Sequence, residues 1–311
     1  MKVRRVLGPV FVIAAFVFLG IFVARDLDQL HAYEWQVRPW LLIVSIALHV
    51  AGLIVGVAAW KLLLRNLGYP VGLRGLARVW FLSGLGRYIP GKIWQFVGAA
   101  HLGTGSGLPA LVTVTSLAAH TFFFVVAAAL VAVYLVPLES LGLASSAALG
   151  FRVTAPLLLL LLHPWVIRRV LHLLRRLSGR DLGEWSGTWR AAISVAAVAT
   201  VAWVITGSAL FLFIRSLVPI EAAAAPAVVG INGLAFVAGY LVFIAPAGLG
   251  AKEGALAALL SIYLPISVAA LIAVAARLWT VAAEILPALA LLRAPGPVAP
   301  PNSVASRPPP H

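Results

Sequence analysis

Two stretches of the chain place cations beside helix-breaking residues. One is Gly86-Arg87-Tyr88-Ile89-Pro90-Gly91-Lys92-Ile93-Trp94-Gln95, and the other is Pro246-Ala247-Gly248-Leu249-Gly250-Ala251-Lys252-Glu253. Proline removes a backbone donor and glycine is permissive, so each stretch interrupts a helix and predicts a new helix start. The first amide N–H groups of a helix lack intrahelical acceptors and form the positive end of its dipole. A lysine in or beside that first turn makes an anion site, most naturally for phosphate. Arg277 strengthens it, so that Arg87, Lys92, Lys252 and Arg277 stand against Glu253 and Glu284. That surplus suits a phosphorylated lipid headgroup or a pyrophosphate. The candidate substrate-binding set is therefore Arg87, Pro90, Gly91, Lys92, Gln95, Pro246, Gly248, Gly250, Lys252, Glu253, Arg277 and Glu284.

A structural reading of the same residues stands beside this one. Arg277 and Glu284 are seven residues apart, two helical turns, and nearly share a face. They, or the neighbours Lys252 and Glu253, could neutralise each other and hold helices in register. His120 and Asn232 fit interhelical hydrogen bonds better than ligation. His101 and Arg152 fall near expected interfaces, and Arg87 is long enough to snorkel to the inner surface.

The elements that must position these groups are membrane helices. Of the 311 residues, 62% are hydrophobic and only 10% charged, which excludes a soluble globular domain and a disordered chain. Mean hydropathy is +1.05, and the apolar runs are continuous, not alternating as in a transmembrane barrel. About seven full spans follow by length: 6–24, 40–64, 108–136, 147–166, 191–214, 222–245 and 266–292. Two broken or re-entrant elements, around 77–100 and 244–264, complete an all-α polytopic domain over 1–293. Residues 294–311 read as a disordered Pro-rich tail.

The 23 Lys+Arg against 9 Asp+Glu give a net charge of +14, which in a soluble protein would point to nucleic acid. Here the basic residues sit in short links between spans, so they report topology and contact with anionic lipid. They predict a cytoplasmic N-terminus in a cell (inner) membrane. The basic link at 168–190 interleaves arginines with Leu171, Leu173, Leu174 and Leu177, as in a helix lying on the membrane surface.

Enzyme signatures are missing. The chain has no P-loop, no H-E-x-x-H and no G-x-S-x-G, its only aspartates (Asp26, Asp28 and Asp181) fall in loops, and cysteine is absent. No catalytic residue, cofactor or metal is expected from the sequence.

Gly86-Arg-Tyr-Ile-Pro90-Gly91-Lys92, Pro246-Ala-Gly248-Leu-Gly250-Ala-Lys252-Glu253 and Arg277 together resemble the lysylphosphatidylglycerol synthase transmembrane, or flippase-like, family. The likeness covers about residues 5–292, and the late P-x-G-x-G-x-K-E element carries most of it. It implies a polytopic inner-membrane protein that moves, or helps to move, phospholipids or polyprenyl-linked lipids between leaflets. In some relatives the membrane part is fused to a cytoplasmic aminoacyl transferase. A short tail after Leu292 makes aminoacyl-lipid synthesis by this polypeptide unexpected. The expected function is translocation of an anionic phospholipid or a polyprenyl-phosphate-linked lipid. The alternatives are a membrane transferase, or its accessory subunit, in polyprenyl-linked glycolipid synthesis, and a non-transporting scaffold. Oligomerisation is left open.

Overall fold

A backbone inside a bilayer finds no water, so each segment must satisfy its own N–H and C=O groups, which a helix does by itself. The computed structural model describes residues 33–88, 93–179, 184–242 and 250–292, and among these it is built of helices without a strand. Chain order gives α1 (Pro39–Asn66), α2 (Leu73–Gly84), α3 (Trp94–Thr104), α4 (Ala110–Leu135) and α5 (Ser145–Thr154). Then come α6 (Pro164–Ser178), α7 (Trp189–Arg215), α8 (Ala225–Leu241), α9 (Ala251–Leu260) and α10 (Ile266–Leu292). Six segments are long and apolar enough to cross a membrane: α1, α4, α5 with its continuation to Leu162, α7, α8 with its lead-in from Ala222, and α10. They match six of the seven spans read from the sequence. The seventh, 6–24, lies outside the described residues, as does the tail 294–311.

Lipid is as apolar as leucine, so helices associate through close packing and small residues more than through hydrophobicity. The α1–α7 pair illustrates this. Ser45, His49, Gly52, Gly56, Trp60 and Leu63 recur every three or four residues and form the buried stripe of α1. At Gly52 a Cβ would lie 2.6 Å from Thr206 Cγ2 on α7. The two helices run antiparallel: Arg38 N–H donates to Ser216 O at 2.8 Å at one end, and Ser186 N–H donates to Asn66 O at 2.9 Å at the other. Trp60 donates its indole N–H to Ser116 Oγ at 3.1 Å, tying α1 to α4. His120, read as an interhelical hydrogen bonder, is one: its Nε2 lies 3.0 Å from Gly56 O.

The span after α4 has a local irregularity with an identifiable cause. Pro156 supplies no N–H, which leaves the carbonyl of Arg152 without its helical donor, and the segment continues as a 3-10 helix over Ala155–Leu162. Tyr134 Oη donates to that Arg152 carbonyl at 2.9 Å. The Arg152 guanidinium reaches out to Glu139 in a two-pronged pair at 3.0 and 3.2 Å. α6 is amphipathic, starting on Pro164 and ending at Gly179 in the left-handed region (φ 63°). Trp165, Val170, Leu173, Leu174 and Leu177 are all exposed along it.

Both broken elements take the form of short helices. α2 and α3, of 12 and 11 residues, pack against each other, with a 3-10 turn over Leu85–Tyr88 closing the first arm. Their length suits a hairpin about half a bilayer deep. α9 has only 10 residues and packs between α8 and α10. At Gly239 of α8 a Cβ would stand 2.8 Å from Lys252 Cβ, so α9 sits this deep only because residue 239 has no side chain. Ile89–Lys92 and Phe243–Leu249, the breaks themselves, lie outside the described residues.

Candidate functional site

α9 begins at Gly250, whose φ of 84° lies in the left-handed region that favours glycine. The turn directs Glu253 back over the helix start, where its Oε2 accepts the Gly250 N–H at 2.8 Å. The carboxylate therefore sits on the positive end of its own helix. Its other oxygen, Oε1, lies 3.3 Å from Arg277 Nη1 of α10. Both side chains are deep, with Glu253 8% exposed and the Arg277 side chain 12%.

A second ion pair lies alongside. The Arg87 guanidinium donates from Nε to Gly84 O at 2.9 Å and from Nη1 to Glu284 Oε1 at 3.2 Å. Tyr88 Oη donates to Glu284 Oε2 at 2.9 Å, so both oxygens of this carboxylate, 7% exposed, are occupied. Tyr88 also joins the two pairs, because the Arg277 guanidinium lies 5.2 Å above its ring centroid. The first broken element, α9 and α10 thus meet through two arginines, two glutamates and a tyrosine.

Lys252 makes no hydrogen bond or ion pair among the described residues. It lines a cavity with His49, Asn232, Glu253, Arg277 and Trp279. The cavity volume is about 20 Å³, room for about one water molecule. A whole lipid headgroup does not fit without helices moving apart. His49 and Arg277 lie near the middle of α1 and α10, so the cavity sits well inside the span. Among the described residues no cluster of His, Cys, Asp and Glu could hold a metal ion.

Of the residues singled out in the sequence, Arg87, Gly250, Lys252, Glu253, Arg277 and Glu284 come together. Gln95 is half-buried at the start of α3 and joins neither ion pair. Pro90, Gly91, Lys92, Pro246 and Gly248 lie outside the described residues. The pairing differs from what spacing along the chain offered. Arg277 and Glu284 share a helix but not each other, and Glu253 turns to Arg277 instead of its neighbour Lys252. Each carboxylate finds a better partner across a helix interface, where a short contact in low dielectric outweighs a same-face pairing two turns away. Arg87 points inward to Glu284 and does not snorkel. The helix start at α9 is not open either, because Glu253 caps it. Asn232 makes no hydrogen bond among the described residues and faces the cavity instead.

Tyr88 and His49 were missed. Tyr88 is a neighbour of Arg87 and carried no signal of its own. His49 did carry one: an ionisable side chain in the middle of an apolar span is a candidate functional group by itself.

The family model for the lysylphosphatidylglycerol synthase TM region matches residues 5–288. The chain belongs to this family. Membership in the lysylphosphatidylglycerol synthase TM family makes it a multi-pass membrane protein of a lipid-related group, in agreement with its six apolar spans. The matched range takes in both broken elements and the whole Arg/Glu cluster, so the site belongs to the family's domain. Among curated proteins the comparison finds no match.

Proposed function

We propose that the protein is a lipid translocase of the inner membrane, with its N-terminus in the cytoplasm. Its substrate is an anionic phospholipid or a polyprenyl-phosphate-linked lipid, and it acts without catalytic chemistry of its own. One observation carries the reading: two broken helices and a full span bring three cations to one intramembrane cluster, where two glutamates neutralise two of them and Lys252 is left without a partner among the described residues. Charge at that depth is costly and marks a path for polar cargo.

The glutamates occupy the positions that a phosphate would take. Glu253 rests on a helix N-terminus beside Arg277, and Glu284 sits between Arg87 and Tyr88. A phosphorylated headgroup would exchange with these carboxylates on the arginines, so that charge stays paired while the cavity widens. The small cavity then corresponds to the closed, cargo-free arrangement. Lys252 supplies the unneutralised charge that draws the anion in.

Headgroup transfer by the purified protein in liposomes, read by reduction of a fluorescent headgroup in the outer leaflet, tests the proposal. Lys252→Ala, Glu253→Ala and Arg277→Ala are expected to abolish most of the transfer. Undiminished transfer in all three would sink the site. Turnover of a labelled polyprenyl-phosphate sugar with no leaflet transfer would favour a transferase instead. Loss of stability with no transport in the unmodified protein would leave a scaffold.

A further inference from the structure

Transfer as described leaves the buried side chain of His49 unused. His49 is 7% exposed, and neither ring nitrogen has a hydrogen-bond partner among the described residues. Its ring is held by packing: the centroid lies 4.5 Å from that of Trp279, which is fixed in turn by an N–H donated to Ser45 Oγ at 2.9 Å and by stacking on Phe213 at 5.0 Å. A neutral imidazole carries one donor and one lone pair, and burying such groups without partners is costly. A histidine that served only to pack against Trp279 would do so better as phenylalanine. The cavity that His49 lines also receives Lys252 and Arg277, whose Nη2 is likewise buried and without a partner among the described residues. Donor-bearing side chains from α1, α9 and α10, with Asn232 of α8, thus meet around a space the size of one oxygen-centred group.

We infer that His49 is a ligand-contacting residue of this cavity, donating its ring N–H to a phosphoryl oxygen that Lys252 and Arg277 hold from the other walls. The inference rests on the anion-site reading above and adds a residue to it. α1 is locked onto α7 at Gly52, whereas α9 is the short helix after the second break. His49 is therefore the fixed wall against which the two cations close. Its second ring nitrogen is left to accept from Lys252 or from a water.

The probes are a water-soluble short-chain phosphatidylglycerol and inorganic phosphate, titrated calorimetrically into the purified full chain in detergent. His49→Phe keeps the ring on Trp279 and removes the donor, and it is expected to weaken binding about tenfold, as for a lost hydrogen bond to a charged group. His49→Gln restores a donor and is expected to recover most of the affinity. Selective 13C labelling of the histidines gives a readout independent of the variants' folding. The His49 resonance, assigned by its loss in His49→Gln, should shift on saturation with the probe. Unchanged affinity in His49→Phe, or an unmoved His49 resonance at saturation, overturns the inference and leaves the cavity to water. If Arg277→Gln loses binding while His49→Phe does not, only the role of His49 falls. If the unmodified protein binds neither probe, the anion-site reading falls with it. Equal affinity for inorganic phosphate and for the short-chain lipid would assign the oxygen to free phosphate, and preference for the lipid to a headgroup.

Discussion

Replacing Arg277 by methionine probes the cluster most sharply, because it removes the charge while keeping much of the side-chain volume. The Arg277–Glu253 contact of 3.3 Å corresponds to a gross attraction of about 5 kcal/mol at an effective dielectric of ~20. Part of that returns in the variant. Glu253 keeps the Gly250 N–H at 2.8 Å, and Lys252 in the same cavity has no partner among the described residues to give up. The net cost should fall at or just under the lower end of the range for breaking a buried pair, about 2–3 kcal/mol. For a chain of this size that lowers the apparent melting midpoint by about 5 °C. A double-mutant cycle with Glu253→Gln isolates the pair, since a glutamine oxygen can still cap Gly250. Unfolding followed by tryptophan fluorescence in mixed micelles should give a coupling energy of about 2 kcal/mol. In the double variant much of the stability returns while headgroup transfer stays lost. A coupling below about 0.5 kcal/mol would refute the pairing as a working contact. Restored transfer in the double variant would refute the exchange of carboxylate for phosphate.

Three further outcomes follow from the same geometry. Tyr88→Phe keeps the ring beneath Arg277 but removes the 2.9 Å hydrogen bond to Glu284, so it should cost about 1.5–3 kcal/mol in the same unfolding assay. Gly239→Val places a side chain where Cβ alone would stand 2.8 Å from Lys252 Cβ, and it should destabilise by about 1–3 kcal/mol and disturb transfer together. Replacing Arg168, Arg169, Arg175 and Arg176 of α6 by glutamine should reduce quenching of the exposed Trp165 by brominated anionic lipids and remove its dependence on salt, while quenching by brominated zwitterionic lipids changes little.

Chain order alone determined the class of the molecule. Run length fixed six spans to within a few residues, because a segment that must satisfy its own backbone in lipid has few ways to fold. Pro/Gly interruption located both broken elements, because the missing donor of proline acts wherever its surroundings are. The identity of the clustered charges was legible too, since lysine, arginine and glutamate at membrane depth stand out against an apolar background.

Tertiary structure alone decided which charges meet. Arg87 and Glu284 pair across 197 positions of chain, and no spacing rule reaches that far. Arg277 and Glu284, which share a helix face by periodicity, turn to other partners because neighbouring helices bring a carboxylate and a guanidinium closer than two turns of the same helix can. The same physics hid the surroundings of His49 and the role of Tyr88: a polar side chain at membrane depth looks alike in sequence whether it faces lipid, packing or a cavity. Its environment is set by which helix lies opposite, and that is a property of the packed bundle.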